Sequence, residues 1–167
     1  MLRIGDQVLY GVHGVCNIIA VERKKIGAKT AEYYVLEPTD QAGTRFYVPT
    51  QNETAVAKLR PILTRQELND MLCSADVRDM VWIDDESQRK QLYSSLITGG
   101  DRAALVGMVH AIHKQKSRQA AVGRKIHLCD ENFLRDAQRI LGAEFSIVLN
   151  ISDHEVGKYV QDMLDRE

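Results

Sequence analysis

The strongest constraint on the fold is a change in hydrophobic period near residues 61–64. Up to residue 62, Val, Ile and Tyr occur in short runs separated by Gly, Pro and Asp, a pattern typical of β-strands. Residues 64–67, Thr-Arg-Gln-Glu, then fit a capping box, in which a Thr and a Glu side chain cap the first amides of a helix. Beyond it apolar residues recur at helical spacing. The sequence therefore predicts an α+β chain of two domains, residues 1–62 and 63–167.

The first predicted domain is a small, strongly bent β-barrel of the SH3 type. Strands are expected at residues 7–10, 15–21, 32–37 and 45–48, with 58–60 as a candidate fifth strand. A flat sheet of this size would leave one face uncovered, so the strands are expected to curl around their own core. The second domain is expected to be all-α, with about five helices.

Residues 102–129 contain no Asp or Glu, in a chain whose net charge is only −1. On a helix His110, Lys114 and Arg118 would be i, i+4 neighbours on a ridge away from the apolar side, with Lys116 nearer the other side. Two interpretations are open: the cations complement the negative end of the helix dipole, or they face a polyanion. The dipole does not explain Arg124 and Lys125, which follow in the loop.

A second basic run, Arg23-Lys24-Lys25, lies at the end of a predicted strand. One interpretation is an exposed basic edge that discourages aggregation between strands. The other is a docking site for an acidic partner. Among the residues after it, alternation places Phe46 and Tyr47 on opposite faces of their strand, so one of the two is expected outside.

Several classes of site have little support in the sequence. His110 and His113 have the spacing of metal ligands on a helix, but no carboxylate or cysteine lies near them, so neither a metal nor a cofactor is expected. Phosphate-binding loops and nucleophile motifs are not recognisable. The odd number of distant cysteines is more typical of buried thiols than of disulfides. No apolar run is long enough for a membrane span, so a cytoplasmic protein is expected.

The N-terminal half resembles a known domain family. Residues 4–10 (IGDQVLY), 13–18 (HGVCNI), 32–36 (EYYVL) and 47–49 (YVP) look like the N-terminal domain of the CarD family of bacterial transcription regulators. The same module is similar to the polymerase-interaction domain of the transcription-repair coupling factor. Trp82, Gly100-Asp101, the basic helix and residues 137–141 (AQRIL) resemble the helical C-terminal domain of CarD proteins.

The resemblance implies a non-enzymatic regulator in which a Tudor-like domain binds the β subunit of RNA polymerase. The residues expected at that interface are Arg23, Lys24, Lys25, Tyr47, Val48 and Pro49. Several family members carry Arg where this chain has Tyr47, so polymerase affinity is expected to depend more on Arg23, Lys24 and backbone pairing.

The helical domain is expected to contact promoter double-stranded DNA at the upstream edge of the melted bubble, mainly through its backbone and minor groove, and thereby to stabilise the open complex. The residues expected there are Trp82, Arg89, Lys114, Lys116, Arg118, Arg124 and Lys125. The resemblance implies that Trp82 inserts into the minor groove. From pattern alone, a lone Trp between helices is more often a core anchor.

Two rival functions remain open at the level of sequence. The chain could be a protein-interaction module without a DNA role, in which the basic helix packs on an acidic partner. It could also be a small enzyme that uses His110 and His113, which would require a deep polar pocket at those residues. Neither a membrane nor a small-molecule substrate is expected as a partner.

Overall fold

A computed structural model describes residues 1–166 of the chain. The chain divides into two compact units, Met1–Ile62 and a second unit that begins at Leu63. All β-strands lie in the first, the sheet unit, and the long helices lie in the second, the helical unit, so the predicted α+β class is confirmed. None of the helices in residues 1–166 is long and apolar enough to cross a membrane.

The sheet unit is built on a single antiparallel sheet. Its strands are β1 (Gln7–Tyr10), β2 (Val15–Ile26), β3 (Lys29–Pro38), β4 (Phe46–Pro49) and β5 (Leu59–Pro61). They are ordered β4-β3-β2-β1-β5, so β4 and β5 form the two edges. A short helix, α1 (Glu53–Val56), precedes β5.

All five strands contribute to one apolar core, which requires the sheet to curl. The buried members are Val8, Cys16, Ile18, Tyr34, Leu36, Val48 and Leu59. A register shift in the β2–β3 pairing, between Ile18 and Ala20, gives β2 an irregularity of the kind that bends a strand. The strong bend expected from the small size of the domain therefore has a local cause in β2.

Strands β2 and β3 are longer than their hydrophobic patterns predict. Their pairing continues to Ile26 opposite Lys29, through a turn in which Gly27 has φ 64°, a conformation that favours glycine. Residues 21–32, which we call the hairpin arm, are almost entirely exposed. The arm has few apolar residues, so only its cross-strand pairing indicates that it is a β-structure.

Among residues 63–166, the helical unit contains the five helices expected from the periodicity and one that was not expected. The expected helices are α2 (Arg65–Leu72), α4 (Glu86–Gly99), α5 (Arg102–Ala121), α6 (Leu128–Leu149) and α7 (Asp153–Leu164). The additional helix, α3 (Ala75–Arg78), has only four residues and lies where the helical signal is interrupted. The capping box at Thr64 and Glu67 forms as the sequence indicates.

Helix α5 lies at the centre of the helical core, because every residue from Leu105 to Ile112 is buried. This corrects one sequence-based placement. His110 shares one side of α5 with Lys114 and Arg118, but it is only 6% exposed and so does not extend the solvent-facing ridge. The reason is that neighbouring elements cover α5 on more than one side along its first half, so the helix is not amphipathic there.

The three cysteines are free, but they are not all buried as expected. Cys16 lies in the sheet core, and burial raises the pKa of its thiol to about 11. Cys73 is exposed and Cys129 is partly exposed. Both lie next to helix ends, where solvent reaches them.

One buried carboxylate, Glu144 of α6, joins the start of the helical unit to its central helix. It is 1% exposed, accepts a hydrogen bond from the Leu63 amide at 2.9 Å, and binds Arg102 of α5 at 2.7 Å. Removing a partner from a buried ion pair leaves a charge that neither water nor protein fully solvates.

We expect Glu144→Ala to lower the free energy of unfolding of the helical unit by about 3 kcal/mol, the low end for a buried pair because Arg102 keeps some solvent access. Urea unfolding followed by the fluorescence of Trp82, the only tryptophan, measures this unit directly. Glu131→Ala is the control, since it removes an exposed partner of Lys116 and should cost at most about 1 kcal/mol. Equal losses of stability in the two variants would contradict the assignment.

Candidate functional site

The segment that carries Trp82 is held in place by a buried ion pair. Arg89 of α4 binds Asp130 of α6 through two parallel hydrogen bonds, Nε to Oδ1 at 2.8 Å and Nη2 to Oδ2 at 2.9 Å. Its Nη1 donates to the carbonyls of Ile83 and Asp84 at 2.8 and 3.3 Å. The Arg89 guanidinium therefore connects two helices to the loop that follows Trp82.

Arg89 is consequently not a DNA contact, which corrects the sequence-based assignment. It is 2% exposed, and its partner Asp130 is fully buried. The hydrogen bonds that it donates to Asp130 raise the pKa of Arg89 above its usual value, so the guanidinium stays charged. The sequence showed a cation near Trp82 but not the carboxylate that neutralises it.

The environment of Trp82 is intermediate between the two that the sequence left open, a core anchor and an exposed side chain. Its ring covers the Arg89 guanidinium at 4.3 Å and meets Tyr93 edge to face, with ring centres 6.4 Å apart. It is half-buried and packs against the helical core. The preceding residue, Val81, is 79% exposed. Trp82 is thus neither a core anchor nor a freely exposed side chain.

A groove brings Trp82 together with two of the predicted cations. Met80 packs over Gly107 of α5, where a Cβ would lie 3.2 Å from the Met80 side chain, so the Trp82 segment lies close against the helix. The groove between them has a volume of about 480 Å³. Its lining residues are Arg78, Asp79, Met80, Val81, Trp82, Asp84, Ala111, Lys114, Gln115 and Arg118.

Arg78 is a groove residue that the sequence analysis missed. Its Nη2 donates to the Met163 carbonyl at 3.3 Å, and its Nε is buried without a partner among the described residues. In the sequence Arg78 stands next to Asp79 and near Asp76, outside the acid-free stretch. Because acids flank Arg78 in the sequence, the charge pattern did not indicate that the fold would place it in one groove with Lys114 and Arg118.

The remaining predicted DNA contacts do not line this groove. Lys116 pairs with Glu131 of α6 at 3.0 Å, and both side chains are partly exposed. Arg124 and Lys125 are exposed in the loop between α5 and α6. Of the cations in the acid-free stretch, Lys114 and Arg118 are therefore the two that share a surface with Trp82.

The sheet unit brings a basic side chain and an aromatic side chain together on one face. Lys24 of the hairpin arm lies with its Nζ 4.0 Å from the centre of the Tyr47 ring, and Tyr33 meets the same ring edge to face. Arg23 alternates to the opposite face, where it stands across from Glu32. The basic run is therefore divided: Lys24 belongs to the Tyr47 face and Arg23 does not, while Lys25 lies exposed near the tip.

Strand β4 presents open backbone groups at the edge of the sheet. The Thr50 amide donates to the Glu32 carbonyl at 3.0 Å, and residues that bond to the neighbouring strand alternate along an antiparallel pair. Phe46 and Val48 therefore bond towards β3, and the N–H and C=O of Tyr47 point to the open side. Pro49, which lacks an N–H, also stands at an outward position, as edge prolines do.

The expectation that the Val48 side chain contacts the polymerase requires a correction. Its side chain is 2% exposed and belongs to the sheet core. Phe46 also packs partly against that core, which leaves Tyr47 as the outward aromatic. Val48 stabilises the edge strand from inside and does not offer a side chain to a partner.

Comparison with known families identifies the sheet unit. Residues 2–63 match the family model of the CarD-like/TRCF RID domain, which confirms the resemblance seen in the N-terminal part of the sequence. Domains of this family interact with RNA polymerase. A search of curated proteins found no match to the chain. The family match ends where the helical unit begins.

We expect Trp82→Ala to lower the free energy of unfolding of the helical unit by about 1–2 kcal/mol, because it removes one cation–π and one aromatic contact from a half-buried side chain. Circular dichroism at 222 nm during urea unfolding measures this change. Val81→Ala, at the exposed neighbouring position, is the control and should change little. A decrease above about 3 kcal/mol would make Trp82 a core residue.

Proposed function

Because the sheet unit is a CarD-like/TRCF RID domain, we propose that this chain is a non-enzymatic transcription regulator that bridges RNA polymerase and promoter DNA. In this proposal the sheet unit binds the β subunit of the polymerase. The helical unit contacts DNA near the upstream edge of the bubble and so stabilises the open complex. The observation that carries the DNA part is the groove that Trp82 shares with Lys114 and Arg118.

The proposed polymerase contact is the β4 edge together with the hairpin arm. An edge strand with outward N–H and C=O groups can add to a partner's sheet, and its backbone bonds then supply affinity. Tyr47 supplies an outward aromatic side chain beside that edge, and Lys24 adds a positive charge over the ring. An acidic strand of the β subunit would complement both features.

Lys24→Glu should weaken binding to polymerase, most strongly at low salt, because it reverses the charge beside the open edge. Arg23→Glu should have a smaller effect, since Arg23 lies on the opposite face across from Glu32. Biolayer interferometry of the full chain on immobilised polymerase measures both, with Lys58→Glu as an exposed control. The assignment fails if Lys24→Glu and Lys58→Glu bind equally well.

The proposed DNA contact combines phosphate binding with the insertion of an apolar side chain. Lys114 and Arg118 are suited to phosphates, which position a protein without reading sequence. Val81 and Trp82 at the groove are suited to a widened or partly unstacked base step. A melted bubble edge offers such a step and intact duplex does not, so binding favours the open complex. The acids Asp79 and Asp84 keep the intrinsic affinity of the groove for duplex DNA low.

The double variant Lys114→Glu/Arg118→Glu should shorten the lifetime of open promoter complexes about equally on unrelated promoters. The slope of log affinity against log salt should fall by roughly one unit for each phosphate that the variant no longer binds. Lys116→Glu is the matched control on the same helix, because Lys116 pairs with Glu131 away from the groove. Competitor-challenge assays over a salt series give both quantities.

The rival functions make different predictions for the same variants. If the chain is only a protein-interaction module, the double variant leaves the open-complex lifetime unchanged while polymerase binding persists. The enzymatic rival required a pocket at His110 and His113, and a cavity does lie there. Its lining is mixed, since apolar side chains alternate with His110, His113, Gln138, Asp153, His154 and Gln161. Such a lining is typical of a ligand site.

A further inference from the structure

A cavity of about 260 Å³ lies among α5, α6 and α7, on the side of α5 where His110 and His113 are found. Its apolar walls are formed by Val109, Leu141, Phe145, Val156, Val160 and Leu164. The polar residues of its lining are His110, His113, Gln138, Asp153, His154 and Gln161. An apolar cavity with a few convergent polar groups is the usual form of a small-molecule site.

His110 has a buried ring nitrogen that lacks a partner. The residue is 6% exposed, and its Nδ1 makes no hydrogen bond among the described residues. Burial lowers the pKa of His110, and the charge of Lys114 lowers it further, while Asp165 raises it. The neutral ring therefore keeps one buried hydrogen-bonding atom without a protein partner among the described residues, and leaving that bond unmade is unfavourable.

Two glycines keep this space open. A Cβ built on Gly142 of α6 or on Gly157 of α7 would meet no atom within 4 Å, although both residues line the cavity. Glycine destabilises a helix interior relative to alanine. Neither position has a positive φ that would require glycine. Gly142 is buried, so the space next to it lies inside the helical unit, whereas Gly157 is exposed and lies on the open side of the cavity.

The cavity opens into a wider polar groove of about 750 Å³. The two share His110, His113, Gln138, Gly157 and Gln161, so they are continuous. The outer groove is further lined by Lys114, Ser117, Arg118 and Asp165. Its two cations and one acid favour an occupant with a single negative charge at the mouth.

From this arrangement we propose that the helical unit binds a small organic acid, with a ring-sized apolar body in the cavity and one carboxylate between Lys114 and Arg118. An enclosed apolar cavity of about 150 Å³ holds a benzene ring. The larger volume here accommodates a ring with a short side chain that reaches the mouth. The amide side chain of Gln138 adds a directional contact along the way.

Occupancy of this site would also affect DNA binding, a consequence that rests on the proposed function. Lys114 and Arg118 line both the outer groove and the groove of Trp82. A carboxylate bound to them competes with phosphates for the same charges. Such coupling is reciprocal, so DNA would weaken the binding of the acid by the same factor.

The direct test is a titration of the full-length, ¹⁵N-labelled chain with 3-phenylpropionate, without DNA. We expect saturable shifts of the Gly142 and Gly157 amides and of the His110 ring nitrogens. The neutral amide of the same acid should bind several-fold more weakly, and acetate should produce no saturable shift. Lys114→Met should remove the preference for the acid over the amide.

Filling the cavity provides the decisive variant. Gly142→Leu should abolish the shifts, while Gly99→Leu, an exposed helical glycine with open space around it, should leave them unchanged. If Gly142→Leu does not fold, Gly142→Ala and Gly157→Ala combined should still weaken binding several-fold. Saturation that persists in the filled variants, or no saturable shift in the wild-type chain, overturns the proposal.

A parallel experiment with DNA distinguishes the proposed ligand site from the proposed DNA-binding groove. If the acid binds in the NMR titration but leaves the lifetime of the open complex unchanged, the ligand site stands. Only the proposed coupling between acid binding and DNA binding is then contradicted. A shortened lifetime in Lys114→Glu/Arg118→Glu, together with no saturable acid binding to the wild-type chain, supports the DNA groove and overturns the ligand site.

Discussion

The bidentate bond between Arg89 and Asp130 is the interaction on which the arrangement of the helical unit most depends. It joins α4 to the first turn of α6, and the same guanidinium fixes two carbonyls of the loop after Trp82. Asp130 is also favourably placed in a helix N-terminal turn, where the dipole stabilises a negative charge. A buried pair of this kind contributes little net stability compared with apolar residues of equal volume, but it tolerates few alternative arrangements. Its effect here is to orient Trp82.

The orientation of Trp82 has consequences for how the groove could act on DNA. One side of the indole is covered by Arg89 and its edge meets Tyr93, so the ring has restricted freedom before any contact with DNA. A side chain that is already ordered loses less entropy when it binds. In the proposed function, the neighbouring cations position phosphates while the aromatic ring responds to the shape of the base step.

The cations of α5 illustrate how a helix distributes a basic segment. Lys116 faces α6 and pairs with Glu131, whereas Lys114 and Arg118 line both the Trp82 groove and the groove outside the His110 cavity. Charge density along the chain is therefore a poor guide to charge density on the surface. In the sheet unit the same holds for Arg23 and Lys24, which adjoin in sequence and face opposite sides.

Features that depend on local periodicity were predictable from the order of the residues alone. The change from strand to helix near residue 62, the capping box at Thr64 and the five longer helices all follow from spacing within a few residues. The same spacing indicated β1 with its observed bounds, since alternation and turn residues are both local signals. The length of the hairpin arm was not predictable this way, because its polar strands are stabilised by pairing and not by a hydrophobic pattern.

Which charged and polar side chains remain available for binding depends on long-range packing, so it was not predictable from the sequence. Arg89 is neutralised by a carboxylate 41 residues away, and Lys116 by one 15 residues away. His110 became buried because other elements cover α5, and Arg78 joined Lys114 and Arg118 although acids surround it in the sequence. Ion pairing and burial depend on which surfaces pack together, and that is a property of the whole core rather than of any segment of the chain.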